Sequence, residues 1–442
     1  MQQELFRMIQ PKVLKGFRDS VPSQEIIKKQ VISTLERDFS LHGFVPIDTP
    51  VLEYTEVLLG KGGGETDKQI FHFADNGGRD VALRFDLTVP FARFMAGHLN
   101  ELALPFKRFH IAKVWRGENP QKGRFREFFQ CDFDIVGIDS AYADVEILTM
   151  MHSALSSLGL RRFSIRVAHR GLFNAFLSHI GCLQQSVEIL RTVDKLRKIG
   201  AAEVESQLQE ITKSPTAASA ILSYINAESS DDPLETLSVL SALAGDEQEH
   251  TQRMRTIFST LGQLGIAGRF SIDPSITRGL DYYTGVVYET FLDDLPEIGS
   301  ICSGGRYNDL ASLYTKEHLP GVGSSIGLDR LLAALEELDS PLIQDVASSD
   351  VIILNQNENH RYHYHRFAAQ LRESGVRCDV YLADKKQVAQ FKYAEQNRIP
   401  YAILFNEEDV LRGTCTLRHL ATRNDMPALT LSQVVENIER NR

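Results

Sequence analysis

The sequence predicts an α+β protein: a domain with a large antiparallel sheet flanked by helices, a helical insertion within it, and a small C-terminal α/β domain. Three observations predict this. Short apolar runs at 81–85, 106–115 and 128–136 are separated by turns and polar loops, with no helix-length period between them, which is the pattern of strands. Residues 172–262 change texture to Leu, Ala, Glu, Gln, Lys and Ser, with helical periodicity at 187–196, 204–211 and 234–243, punctuated by Gly200 and Pro233. Beyond Asp339-Ser340-Pro341, strands at 350–354, 376–382 and 401–405 alternate with helices at 361–373 and 387–397, the spacing of a parallel sheet.

Taken in order, Pro22-Ser23-Gln24-Glu25 is a helix-start signal, and Ile27, Val31, Leu35 and Phe39 recur every four residues as one apolar stripe that Gly43 closes. The expected division is a core of residues 1–171 and 263–339, an insertion of 172–262, and a C-terminal domain of 346–442. At about 150 residues per domain, a chain of 442 residues has room for about three.

Hydrophobic residues at 43% and charged residues at 24% place the chain among folded proteins and away from disorder or coiled coil. No apolar run approaches the ~20 residues that cross a bilayer. Met1–Arg7 has no basic region followed by an apolar one, so a cytoplasmic location is expected. The five cysteines (Cys131, Cys182, Cys302, Cys378, Cys415) are dispersed with no CxxC pair, which fits reduced thiols and argues against a disulfide framework or a zinc ribbon. A net charge of −10 disfavours a non-specific nucleic-acid coat or a membrane-surface protein, while leaving room for local basic patches. From residue 346 onward there are 13 basic and 12 acidic residues, so the acidic excess lies entirely upstream.

The chemistry is concentrated in a few segments. Trp115 to Phe128 is an apolar strand ending in Arg116, a Pro/Gly loop with Lys122, Arg124 and Arg126, and an aromatic return strand. It reads as a hairpin that offers a fixed guanidinium and mobile cations to a phosphate-bearing ligand, or alternatively as a solvated cationic hairpin. On the return strand, alternation puts Gln130, Asp132 and Asp134 on one face, which requires a polar cleft or salt-bridge partners within the sheet. The run 83–90 reads as a further strand with Arg84, Asp86 and Thr88 on one face, able to receive an ammonium group. Arg278-Gly279-Leu280-Asp281-Tyr282-Tyr283-Thr284-Gly285 packs Arg, Asp and two Tyr between glycines, suited to a polar heterocycle or to a covered tight turn. Gly321 to Arg330 is a glycine-rich strand running into a helix whose first turns carry Arg330, suited to a nucleotide phosphate or an adenine face. No Walker loop, HExxH or GxSxG is present. His363 and His365 stand two apart on a helix and cannot share a metal.

Together these segments resemble the histidyl-tRNA synthetase family of class II aminoacyl-tRNA synthetases. Lys15-Gly16-Phe17-Arg18-Asp19 is similar to its N-terminal signature, the helix to Gly43 and the strand through Pro50 to motif 1, Arg116–Gln130 to motif 2, and Gly321–Arg330 to motif 3. The run 278–285 is the most specific, and Gly304-Gly305-Arg306-Tyr307 supports it. Gln390-Phe391-Lys392-Tyr393-Ala394 with Ile399-Pro400-Tyr401-Ala402 is similar to the family's anticodon-binding domain. The resemblance implies a class II fold and a two-step reaction: ATP activates L-histidine to histidyl-adenylate with release of pyrophosphate, and histidine then passes to the 3′ end of tRNA(His). It implies Asp86, Thr88 and Gln130 on the α-amino group, and Asp134 and Tyr283, beside Tyr282, on the imidazole. It further implies Arg116 on the α-phosphate, Glu118 near the adenine, Arg330 on the adenine and γ-phosphate, Arg278 stabilising charge at the α-phosphate, and Gln121 and Arg126 near the tRNA acceptor end. ATP as substrate, ATP-associated Mg2+ with no protein metal site, a homodimer through motif 1 and no membrane association complete the implication.

Two features depart from many bacterial members: Asp86 and Asp134 stand where Glu is common, matching the other branch of the family, and Gly117 is smaller than the expected Arg or His. Two rivals share parts of the pattern: a regulatory subunit that assists ATP phosphoribosyltransferase, and a sensor that binds uncharged tRNA. Such subunits tend to lose the 278–283 run and the anticodon-binding tail, and a sensor has no need of Arg116, Arg278 and Arg330 together; this chain has all of them.

Overall fold

Two ten-residue strands on either side of the Pro/Gly loop organise the larger part of the chain. The computed structural model describes residues 9–60, 69–120, 123–227, 232–277, 282–343 and 347–440. The chain forms two compact units, residues 1–19 with 31–340 and residues 20–30 with 341–442. The strands of the first unit are β1 (Val45–Pro46), β2 (Leu52–Tyr54), β3 (His72–Ala74), β4 (Asp80–Leu83), β5 (Phe106–Trp115), β6 (Glu127–Val136), β7 (Phe163–His169), β8 (Phe270–Ile272), β9 (Val286–Leu292), β10 (Cys302–Tyr307) and β11 (Gly321–Gly327).

Eight of these strands form one sheet in the order β1-β5-β6-β11-β10-β9-β7-β8. The interior pairs are antiparallel, as expected, but the sheet is mixed: β1 runs parallel to β5 and β8 parallel to β7. Both exceptions are short edge strands separated from their partners by long connections, and parallel neighbours need such a crossover. The helices between β7 and β8 supply one of them. They comprise Arg170–His179, Ser186–Val193, Leu196–Ile199, Ala201–Thr212, Pro215–Ile225, Pro233–Ala244 and Glu249–Gln263. The segment 81–85 departs from expectation as well. Its strand, β4, lies in a separate three-stranded sheet, β2-β4-β3, because it pairs with the short strands on either side of it rather than with β5.

The first helix, Pro22–Leu41, follows its sequence stripe, with Val31, Leu35 and Phe39 fully buried. The Phe39 ring sits 5.6 Å from Phe109 and 5.0 Å from Phe133, pinning the helix to the centre of the β5–β6 hairpin. That hairpin pairs Trp115 with Glu127 and Phe106 with Val136, so its two ends emerge together at the loop that carries Arg116.

The second unit contains β12 (Val351–Ile353), β13 (Cys378–Val380), β14 (Tyr401–Leu404), β15 (Cys415–His419) and β16 (Asn424–Leu429), in the order β13-β12-β14-β15-β16. The parallel sheet expected here is confined to β13, β12 and β14; β15 and β16 extend it antiparallel, joined by a turn in which Arg423 takes a left-handed conformation. Helices Arg361–Glu373 and Leu431–Glu439 pack Phe367, Leu371, Val434 and Ile438 into the core beside β12 and β14. On the first of these helices His365 is exposed, while His363 packs edge-on against Phe405 at 4.8 Å, so the two share no face. All five cysteines are free and buried. Among the described residues no helix is long and apolar enough to cross a membrane.

The aromatic seam makes a stability prediction. Phe39→Ala leaves a cavity under the hairpin and is expected to cost about 3–5 kcal/mol, read as a lower midpoint of urea denaturation with an unchanged slope; a loss below about 1 kcal/mol contradicts the packing role.

Candidate active site

The register of the β5–β6 hairpin sets the site. Arg108 stands opposite Asp134, His110 opposite Asp132 and Ala112 opposite Gln130, and across the other edge of β6 Ser325 stands opposite Asp132 and Gly323 opposite Asp134. The face carrying Gln130, Asp132 and Asp134 is therefore lined with polar groups from three strands, and all three residues are buried.

Asp134 is held from two sides. Arg108, with no side-chain exposure, brings its guanidinium within 2.7 Å of one carboxylate oxygen, and the Tyr307 hydroxyl donates to the other. Arg108 also lies 4.1 Å from the centroid of the Phe91 ring. Burial raises the Asp134 pKa, opposed by Arg108 and by the Tyr307 hydrogen bond. The glycine at 323 makes room for this arrangement, since a Cβ built there would run into the Asp134 carboxylate. Gln130 donates from Nε2 to Ser325 Oγ at 2.8 Å, and its Oε1 is buried without a hydrogen-bond partner. Burial pushes Asp132 up to about 7, with Arg108 opposing and Asp134 reinforcing. It also holds His110 neutral, down to about 3, reinforced by Arg108 and Arg84.

Asp86 joins this group from a different element. The strand expected over 83–90 ends at Leu83, and Thr88 opens the helix Thr88–His98. The chain leaves the strand because Asp86 accepts a hydrogen bond from the Val89 amide at 3.1 Å, and Pro90 sits in the first helical turn, where its missing amide costs nothing. Asp86 and Thr88 thus share a helix N-terminus instead of a strand face, and Arg84 is withdrawn from the set, donating to Thr49 O and Lys113 O. Burial raises the Asp86 pKa to about 6, with Arg116 and Arg108 opposing the rise and Asp134 adding to it.

Arg116 is a fixed guanidinium. Its Nε donates to Phe85 O at 2.9 Å, and its side chain lies 5.2 Å from the Phe128 ring. Arg330, in the first turn of the helix Leu328–Glu337, donates to Ser300 O. Burial lowers its pKa to about 10, reinforced by Arg124 and Arg116 and opposed by Glu289 and Glu118, so it stays cationic at neutral pH. Arg116 therefore shares one electrostatic field with Asp86 and with Arg330, which joins the acidic floor to the cationic wall. Tyr283 is buried in the cluster containing Phe91 and Val287; its ring lies 4.7 Å from Tyr282, and Tyr282 meets Tyr307 edge-on at 6.3 Å. Arg278 and Gln121 lie outside the described residues.

Arg108 and Ser325 belong to this site although the sequence did not single them out, and Asp132 and Tyr307, visible there only on a polar strand face and in the 304–307 run, join them; the N-terminal signature adds a brace. Arg18 pairs with Asp329 and stacks 4.0 Å over Phe125, while the other Asp329 oxygen accepts from the Phe129 amide at 2.8 Å. Gly16 O accepts from the Arg126 amide at 2.8 Å, and the Arg126 guanidinium donates to the carbonyls of Glu118 and Lys15. Arg126 is thereby engaged in holding the hairpin. Gly117 has a reason too: its amide donates to Gln69 O at 2.7 Å, and a Cβ there would sit 3.2 Å from that oxygen. Hairpin symmetry could have revealed Arg108 in the sequence, because the pairing that sets Trp115 against Glu127 also sets Arg108 against Asp134.

The family model for histidyl-tRNA synthetase matches residues 16–331, and an anticodon binding domain model matches residues 350–441. A Treponema denticola protein named histidine–tRNA ligase is 51% identical over 91% of this chain and 90% of its own length. One from Rhodopirellula baltica with the same name is 44% identical over 94% of this chain and 95% of its own. The crystal structure of histidyl-tRNA synthetase from Nostoc sp. PCC 7120 superimposes with a TM-score of 0.87 at 30% identity, covering 98% of this chain and 100% of that one.

The raised carboxylates carry a sign. Asp86 titrates near 6 when folded against an ordinary value of 3.8, so the folded state holds a proton that the unfolded chain has lost. Stability is therefore expected to fall as pH rises through that interval. Asp86→Asn removes this contribution, so in urea titrations from about pH 4 to pH 7 the stability of wild type relative to the variant should decline with rising pH. A constant difference contradicts the burial account.

Proposed function

Because the chain belongs to the histidyl-tRNA synthetase family, we propose the following division of labour for its ligase reaction, in which ATP activates histidine and the histidyl group then passes to tRNA. What supports it is the place of Arg116, whose Nε donates to Phe85 O, the residue before the buried Asp86, at 2.9 Å and whose guanidinium is near enough to oppose the pKa rise at Asp86 and to add to the fall at Arg330.

Asp86, Gln130 and Thr88 hold the α-ammonium group of L-histidine; the orphaned Gln130 Oε1 is an acceptor that an ammonium satisfies. Asp134 and Tyr283, flanked by Tyr282, read the imidazole. Arg108 and Tyr307 fix the Asp134 carboxylate in place, so the ring meets an acceptor that does not have to reorganise. The histidine carboxylate attacks the α-phosphorus of ATP, forming the acyl–phosphate bond as the bond to the bridging oxygen of pyrophosphate breaks. This brings anions together, and guanidiniums placed round the phosphorus lower the barrier better than a base could. Arg116 and Arg278 take that role. Glu118 and Arg330 hold the adenine side of ATP, with Arg330 also reaching the γ-phosphate.

Among the described residues no group of three or more His, Cys, Asp or Glu is arranged to hold a metal ion. Mg2+ is proposed as a companion of ATP, liganded by its phosphates, as the family resemblance implies, and no step is routed through a protein-held ion. The motif 2 hairpin, carrying Gln121 and braced by Arg126, is proposed to meet the acceptor end of tRNA(His). The domain division at 172–262 and 346–442 is retained as a proposal, with the C-terminal part reading the anticodon. A homodimer is proposed through the motif 1 region, where Leu41, Val45, Val51, Leu52 and Tyr54 are exposed. A cytoplasmic location is proposed for the whole.

Histidine-dependent ATP–pyrophosphate exchange tests the reading. Exchange should require histidine among the twenty amino acids, and Arg278→Ala should lower its kcat by about 100-fold or more with the melting transition intact. Exchange supported equally by several amino acids, or an Arg278→Ala rate near wild type, contradicts it.

A further inference from the structure

Behind the amino-acid site lies a buried ionic cluster that the proposed chemistry does not use. Asp144, in the helix Ala141–Ser157, has no exposed surface. One carboxylate oxygen lies 2.9 Å from Arg306 Nε, and the other accepts from Arg253 Nε at 2.6 Å. Arg306 is the β10 residue next to Tyr307 and is 1% exposed. Arg253 belongs to the helix Glu249–Gln263, the last before β8. Asp139 spans the pair from the surface, 2.8 Å from Arg253 and 3.3 Å from Arg306.

Arg306 is also a wall of the tyrosine loop. Its carbonyl accepts from the Thr284 amide at 2.8 Å, and its side chain lies against Gly285, where a Cβ would come within 3.0 Å of Arg306 Cδ. The other wall is Arg170, whose amide donates to Gly285 O at 2.9 Å and whose guanidinium donates to Tyr283 O at 3.0 Å. Displacing the Arg306 side chain therefore moves the 283–285 backbone and, one residue along β10, the Tyr307 hydroxyl that holds Asp134.

We propose that Arg253 is a positioning residue for the histidine site: through Asp144 and Arg306, the helix Glu249–Gln263 sets where Tyr283 and Tyr307 stand. This rests on the reading that Asp134 and Tyr283 hold the imidazole. The charges explain why Arg253 is the informative position. Without Asp144, Arg253 and Arg306 lose their buried counter-ion and keep only the part-exposed Asp139, which threatens folding. Without Arg253, Arg306 still holds one Asp144 oxygen and donates to the carbonyls of Ile138 and Ser140, but the second Asp144 oxygen loses its partner, so one of the contacts that set the Arg306 side chain is removed while the fold persists.

The test uses the full-length chain. Pyrophosphate exchange is measured against histidine and against ATP for wild type, Arg253→Leu and Arg253→Lys, with thermal melting of each. Arg253→Leu is expected to raise KM for histidine about 5- to 20-fold, leaving KM for ATP within about twofold. Arg253→Lys, which keeps a cation between Asp144 and Asp139, should recover most of that loss. If Arg253→Leu does not fold, Asp139→Ala, at a position whose side chain is 43% exposed, should raise KM for histidine alone by a smaller factor. An unchanged KM for histidine overturns the proposal. So does a parallel change in both KM values that follows the loss of folded protein, or a lysine variant no better than the leucine one. Absence of histidine-dependent exchange in wild type is a separate outcome and removes the functional reading itself.

Discussion

The ion pair between Arg108 and Asp134 is the constraint around which the larger unit is arranged. Two opposite charges on neighbouring central strands, both without meaningful exposure, hold together only where the hairpin register places them face to face. Replacing both by apolar residues of similar volume would cost little stability, so the pair is better understood as fixing a single carboxylate orientation than as holding the sheet together. Around it the other acids, Asp86 and Asp132, are pushed toward neutrality by burial and by Asp134, and Arg116 limits the rise at Asp86. A pocket that holds carboxylates partly protonated gains when a cationic guest enters, because the guest's charge restores their ionised form.

The close approach of β10 and β11 serves the same end. Glycines at 304, 305, 321 and 323 leave space that side chains would fill with clashes against Tyr288, Tyr283, Tyr307 and Asp134 respectively. Tyr288, on β9, then donates to Gly323 O at 2.7 Å across β10, tying β9 to β11 where aromatic rings and a carboxylate meet. A glycine-rich strand in this protein is thus a means of letting functional side chains from neighbouring strands occupy one layer, unlike the phosphate-cradling glycine loops of other nucleotide-binding proteins.

Much of this was legible in the amino-acid sequence, and the failures have physical causes. The β5–β6 hairpin, the Pro22–Leu41 helix and the strand-to-helix passage at Gly321–Arg330 carry strong local signals: apolar alternation, a four-residue stripe and a run of glycines. The segment 83–90 misled because alternation of Arg84, Asp86 and Thr88 imitates a strand, whereas the capping contact from Asp86 to Val89 turns the chain into a helix. The parallel edge pairings depend on long connections, which local pattern does not report. Arg108 stayed hidden because its role exists only between strands, through the partner that register assigns it, and Tyr307 is visible in the sequence only within the 304–307 run because its hydroxyl reaches Asp134 across β11. Arg126 reads as a free cation in the sequence, yet its guanidinium reaches one backbone carbonyl across its own hairpin loop and another in the N-terminal signature.

The most direct test of the central claim is the affinity for histidine when the Asp134 charge alone is removed. Asp134→Asn keeps the volume and leaves Arg108 without its counter-ion. Losing one charge-assisted contact is worth about 1.5–3 kcal/mol, so the dissociation constant for histidine, read by calorimetry, should rise by roughly 10- to 150-fold while that for ATP holds. Histidine binding equal to wild type in a folded Asp134→Asn protein would contradict the account.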